Sequence, residues 1–177
     1  MSKPKRKIRG TNKTKLIICE GISDKKFVER LKVVLHKRDC GFTVRVDQAA
    51  GGGPKSAILH AINYYGDYDF KSVFIDSDLP IPPEAKRAAI NHRIDIFQSR
   101  PHCLEGLLLK MMGHNGEIMN TALAKELFYK KYDLANVVTQ QWYDENIDVM
   151  LLDTIINDNK HCCCDVIKKL HGFFASV

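Results

Sequence analysis

Leu16-Ile17-Ile18-Cys19-Glu20-Gly21-Ile22-Ser23-Asp24 begins as an apolar run and ends in turn-forming and acidic residues. Four consecutive apolar residues suit a strand buried on both faces, as in parallel sheets. Ser23 or Asp24 can cap the helix that follows. Phe27, Val28, Leu31, Val34 and Leu35 recur at helical spacing, which predicts an amphipathic helix over about 24–38.

The alternation continues outward. Phe42-Thr43-Val44-Arg45-Val46 reads as a second strand. Gly51-Gly52-Gly53-Pro54 breaks the chain, and a helix from Lys55 to about Tyr65 carries Ile58, Leu59 and Ile62. Ser72-Val73-Phe74-Ile75 is the third strand and ends in Asp76-Ser77-Asp78. Pro83 opens a helix through about Asn91. Arg93 to Phe97 alternates as a fourth strand, and Ser99-Arg100-Pro101 turns into a helix with Glu105 and Leu107-Leu108-Leu109. Four strand–helix alternations imply an α/β fold with a mainly parallel sheet flanked by helices and right-handed crossovers. After Gly113 the strands stop. Helical patterns at 117–131, about 144–158 and about 164–175 predict a C-terminal helical extension, whose surplus apolar residues should pack on one sheet face or form a homodimer contact.

Charge is unevenly placed along the 177 residues. Lys3, Lys5, Arg6, Lys7, Arg9, Lys13 and Lys15 precede the first strand's apolar run with no acid among them. Removing these seven from the 27 basic residues leaves 20 against 21 acids, so the net +6 comes from this end. Residues 1–14 are expected to be a disordered basic tail able to contact the phosphates of DNA or RNA. No secretory signal or membrane-spanning run is present, which predicts a cytoplasmic protein with no membrane partner. The six cysteines include no CxxC pair, so a disulfide framework is not expected. His161-Cys162-Cys163-Cys164 invites a zinc reading, but neighbouring side chains on a helix point about 100° apart. A thiol-rich helix packing inward is the expectation there.

The positions of the acids carry most information. Glu20 follows the first strand, Asp76 and Asp78 follow the third, and Glu105 comes one short turn after the fourth. In an open parallel sheet the carboxyl ends of the strands lie along one edge, where ligands bind. Asp24 can return to that edge from the first helical turn. Carboxylates at this density repel one another, and a divalent cation with oxygen ligands relieves the repulsion. The plainer alternative is that these acids are helix caps and loop residues.

Leu16-Ile17-Ile18-Cys19-Glu20-Gly21 resembles the first Toprim motif, and Phe74-Ile75-Asp76-Ser77-Asp78 resembles the second. Glu20-Gly21-Ile22-Ser23-Asp24 is similar to the Toprim nucleases of the overcoming-lysogenization-defect (OLD) group. Ser99-Arg100-Pro101-His102-Cys103-Leu104-Glu105 resembles the third motif of the small RloB-like proteins, with His102 as an extra residue. The resemblance covers residues 15–113 and implies a Rossmann-like Toprim catalytic domain, with 114–177 as the helical extension. It implies Mg2+ or Mn2+ held by Glu20, Asp76 and Asp78, with Asp24 and Glu105 completing a second site. The implied activity is phosphodiester cleavage of DNA or RNA by two metal ions, in a group associated with anti-phage defence. No ATPase portion accompanies these motifs, unlike in the full-length OLD proteins, which leaves two expectations open: a separate ATPase chain as partner, or no need of one. A ribonuclease that matures structured RNA and a non-catalytic binding module stay open as alternatives.

Three basic residues are candidates for substrate binding. Lys55 follows the glycine loop, which is not a P-loop but allows close approach of a phosphate. Arg100 lies beside the third motif, and Lys110 is on the same predicted helix as Glu105. His36, His60, His92, His114 and His171 show no ligand spacing. Trp142 and Tyr143 are expected in the core rather than stacked on a base.

Overall fold

The computed structural model describes residues 12–37, 40–134 and 138–175. Four parallel strands form one sheet in the order β2-β1-β3-β4: β1 (Lys13–Cys19), β2 (Phe42–Gln48), β3 (Phe70–Asp76) and β4 (Ile94–Ser99). Helices α1 (Ile22–Leu35), α2 (Gly53–Asn63), α3 (Pro83–Asn91) and α4 (Leu104–Met111) each follow a strand. The result is a Rossmann-like α/β sheet, as the alternation predicts.

Side-chain alternation along β1 divides the core in two. Leu16 and Ile18 join Val73 and Ile75 under α2 and α3, with Ala57, Ile58, Ala61, Ala85 and Ala89. Ile17 and Cys19 face the other way, with Phe74, Phe97 and the Phe27, Val28 and Leu31 stripe of α1. The crossover from β1 to β2 therefore uses one face, while those to β3 and β4 use the opposite face. The change occurs between β1 and β3, so a crevice opens beyond their carboxyl ends. Glu20 and Asp76 stand there.

The rest of the chain adds α5 (Thr121–Lys131), α6 (Gln140–Asn146), α7 (Val149–Asn157) and α8 (Cys164–Ala175). These helices share the α1-side core: Phe128, Trp142, Tyr143, Ile155, Ile167, Leu170 and Phe174 belong to one apolar cluster with Ile17 and Phe74. Of the two sequence expectations for this segment, packing on a sheet face is the one observed. Trp142 and Tyr143 are buried, as expected.

Several boundaries differ from those read in the sequence, each for a local reason. The basic tail was expected to reach residue 14, yet β1 starts at Lys13. Lys13 pairs with Asp69 at 3.9 Å. Lys15 is buried, its Nζ 3.9 Å from the Phe42 ring centroid and donating to the Phe173 carbonyl at 2.7 Å. The other five tail cations lie in residues 1–11, outside the described residues. The helix expected over 144–158 is divided, because Asp148 caps α7 by accepting from Leu151 N–H at 2.8 Å. Asp24 is not the cap of α1; it sits one turn in and reaches back to the Gly21 N–H at 3.0 Å. No helix among the described residues is long and apolar enough to cross a membrane.

Because α8 covers the sheet, truncation after Gly113 should leave a chain that cannot fold as a stable monomer. Phe174→Ala, at a fully buried site, should cost about 3–5 kcal/mol. Met150→Ala, at an exposed site, should stay within about 0.5 kcal/mol of the parent. Urea unfolding midpoints check both, and a stable 1–113 fragment would show that the extension is dispensable.

Candidate metal centre

β1 delivers Glu20 to the crevice and β3 delivers Asp76. The Glu20 N–H continues the sheet pattern by donating to the Phe74 carbonyl at 3.0 Å. Its side chain bends across to β3, where Oε2 accepts the Asp76 N–H at 3.2 Å. β4 runs on to Ser99, in register with Asp76. The Ser99 hydroxyl donates to Asp76 Oδ1 at 2.7 Å, and the Leu104 N–H donates to the same oxygen at 3.1 Å.

The loop from β4 to α4 is built for this contact. Arg100–Pro101 is cis, and His102 takes a left-handed conformation with φ 61°. The His102 carbonyl accepts the Ser77 N–H at 2.9 Å, which ties the loop after β4 to the Asp76-Ser77-Asp78 segment. His102 Nε2 lies 2.9 Å from the Ile118 carbonyl. The residue that stands out as extra beside the RloB-like motif is therefore a tether between loops. A Cβ on Gly106 would sit 2.1 Å from the Pro101 carbonyl, so only glycine lets α4 start this close to the loop. α4 then places Glu105 in a buried position, where Oε1 accepts the Tyr129 hydroxyl at 2.9 Å.

One pattern recurs at three acids. Glu20, Asp24 and Asp76 each have one carboxylate oxygen held by a protein donor, and the other has no hydrogen-bond partner among the described residues. Asp78 is exposed and receives the Thr121 hydroxyl at 3.0 Å. None of the five acids forms an ion pair with a lysine or arginine among the described residues.

Their electrostatics follow. Burial raises the Glu20 carboxyl above its usual range, with Asp76 and Asp78 adding repulsion against the help of the Asp76 N–H. Burial raises Asp24 strongly, and the Asp76, Glu20 and Glu105 charges push the same way. Asp76 is also raised by burial, partly offset by Ser99, with Asp78 and Glu105 opposing its charge. Asp47 at the end of β2 is the contrast: Tyr64, Gln48 N–H, Lys25 and Arg45 all donate to it, and its carboxyl is driven far below the usual range. An acid that serves structure is neutralised, whereas the crevice acids are not.

The donor set fits a hard cation: all oxygen, several charges, and free oxygens on oriented carboxylates. Oxygens of the five acids do not, however, form a group of three mutually within 4.8 Å; the described group that meets this spacing is His161, Cys162 and Cys163. No family model, curated protein or solved structure matches this chain.

The basic candidates are less well placed. Lys55 is exposed and paired with Glu84 of α3 at 3.2 Å. Lys110 turns its Nζ to the Gly116 carbonyl at 2.8 Å. Arg100 is exposed and lines a groove with Ser77, Leu79, Lys86 and His102, directly beside the Asp76-Ser77-Asp78 loop. Sequence reasoning missed Lys86, which no motif marks. It also missed Ser99, Tyr129 and Thr121, the donors that orient the acids. Gln48 Oε1, buried with no partner, ends β2 in register with Cys19 and was likewise unmarked.

Repulsion among ionised acids should cost the metal-free protein stability. A carboxyl with a higher pKa folded than unfolded takes up its proton more readily when folded. Its penalty is complete above both values and falls as pH drops through the folded one. Asp76→Asn keeps an acceptor for Ser99 and Leu104 while removing the charge. In EDTA at neutral pH it should gain about 1 kcal/mol, which is roughly 2–4 °C in Tm for this chain length. Calorimetry that shows a lower Tm for Asp76→Asn would contradict mutual repulsion.

Proposed function

We propose that this protein is a metal-dependent nuclease that hydrolyses phosphodiester bonds of DNA or RNA, using Mg2+ or Mn2+ at the crevice between β1 and β3. The observation that carries the reading is the set of carboxylate oxygens on Glu20, Asp24 and Asp76 that stand at a switch point with no hydrogen-bond donor and no basic partner among the described residues. The resemblance of residues 15–113 to the OLD-type and RloB-like Toprim proteins supports the same chemistry.

Glu20, Asp76 and Asp78 would form the core ligand set, with Asp24 and Glu105 completing a second position. Bound divalent cations supply charge neutralisation at the attacking and leaving oxygens and a lowered pKa for the attacking water. The chain's own groups do the orienting. Ser99 and the Leu104 N–H fix the Asp76 rotamer, the Asp76 N–H fixes Glu20, and Tyr129 fixes Glu105. Arg100 and Lys86, flanking the adjacent groove, would hold a backbone phosphate next to the acids. The five cations of residues 1–11 would add affinity without sequence preference. A separate ATPase chain is the protein partner to add should the chain alone be silent, and a role in anti-phage defence belongs to this same reading.

The test incubates purified full-length protein with plasmid, single-stranded DNA and total RNA, in Mg2+, Mn2+ or EDTA. Cleavage should require a divalent cation and be abolished in Glu20→Ala and Asp76→Ala. Ser99→Ala, which removes an orienting donor, should lose about 10–100-fold. Arg100→Ala should weaken substrate binding more than turnover. Cleavage that survives Asp76→Ala would place the chemistry elsewhere. Cation binding with no cleavage, even beside an ATPase partner, would favour a non-catalytic binding module.

A further inference from the structure

A second set of ligands, different in chemistry from the acids, meets in the turn between α7 and α8. His161, Cys162 and Cys163 each offer one ligand atom, and the three atoms lie within 4.8 Å of one another. Sequence reasoning disfavoured this site because neighbours on a helix diverge. The chain there is not helical: residues 161–163 form the turn, and α8 begins only at Cys164. A turn can direct adjacent side chains to one side, and this one does.

The distances suit a tetrahedral ion. Two thiolates about 2.3 Å from one zinc, at a tetrahedral angle, stand roughly 3.8 Å apart. The Cys162 and Cys163 sulfurs are 3.9 Å apart. His161 Nδ1 lies 3.2 Å from the Cys163 N–H. The one in-plane lone pair of Nδ1 is engaged by that amide, so an ion held at Nδ1 would displace the Cys163 N–H. Cys164 stands apart, its Sγ against the Ile156 carbonyl at 3.6 Å.

The surroundings favour a metal over a reactive thiol. Cys163 is buried, which keeps it from reagents in solution. The first turn of α8 favours negative charge close by. Cys162 is exposed and borders a cavity lined by Gln98, Arg100, Asp165 and Lys169. One side of the cluster is anchored, where Cys163 Sγ meets the Leu107 carbonyl at 3.8 Å, and the other is open.

We infer that His161, Cys162 and Cys163 form a zinc site with a fourth position open to that cavity. Sulfur and imidazole donors select zinc over the hard cations that the acidic crevice suits. Each thiol releases its proton to solvent as its sulfur takes the ion. The bound ion would fasten the α7–α8 turn beside α4 and so hold α8 across the sheet.

The test uses the full-length protein, purified under reducing conditions and passed over a weak chelator before metal analysis. About one zinc per chain should remain. Replacement by cobalt should give the intense thiolate-to-metal charge-transfer absorption of a sulfur-ligated ion. Cys162→Ser and His161→Ala should each weaken zinc binding by about 100-fold. Neither position is buried, and unchanged far-ultraviolet dichroism verifies that the variants fold. Cys40→Ser removes a different thiol, one beside His36, and should change nothing. Wild-type protein that retains no zinc would overturn the site, as would a charge-transfer band that survives Cys162→Ser or vanishes in Cys40→Ser.

Discussion

Parallel strands cannot be joined by tight turns, so every connection here must cross a sheet face. The first crossover takes one face and the next two take the other. Where they diverge, between β1 and β3, a crevice opens beyond the strand ends. Every other property of the crevice depends on that gap. Buried apolar strands on either side fix the backbone, and the residues at the strand ends must be those that the gap presents. Glu20 and Asp76 occupy those positions, and Ser99 comes into line with Asp76 because β3 and β4 pair in register.

The crevice is expensive to keep in this form. Asp47, one strand away, shows how the same chain treats a carboxylate whose task is structural: four donors surround it, and its ionised form is strongly favoured. The crevice acids receive one or two donors each and repel one another. Burial and like charge both disfavour ionisation there, and one oxygen each of Glu20, Asp24 and Asp76 has no hydrogen-bond donor among the described residues. A divalent cation bound there, as proposed, would reverse the sign of this arrangement and turn repulsion into attraction. Perturbed carboxylates gathered in a cleft mark functional sites on general physical grounds, and the orienting donors belong to the same logic.

Much of this was legible in the sequence. The run Leu16 to Cys19 declares a strand buried on both faces, and the period-3.6 stripe after it declares the helix. Four repetitions of that pattern predict the parallel sheet, and the strand ends predict that Glu20 and Asp76 stand side by side at one edge. Less legible were features that depend on tertiary contact. Ser99 looks like a turn residue until β4 is seen to extend to it. Tyr129 lies 24 residues from the acid it orients. Lys110, on the helix that carries Glu105, is drawn away by the Gly116 carbonyl, and periodicity alone cannot reveal the direction of a long flexible side chain. The cysteine run was legible in part: Cys163 and Cys164 pack inward as expected, but residues 161–163 form a turn rather than helix.

The account rests on a cation bridging the free oxygens of the crevice acids. The most direct measurement is anomalous diffraction at the manganese edge from crystals of the full-length protein grown with Mn2+. The predicted result is a strong anomalous peak at the carboxyl ends of β1 and β3, about 2.1–2.2 Å from oxygens of Glu20 and Asp76. Crystals in which manganese binds only elsewhere, with the Glu20 and Asp76 carboxylates unliganded, would contradict it.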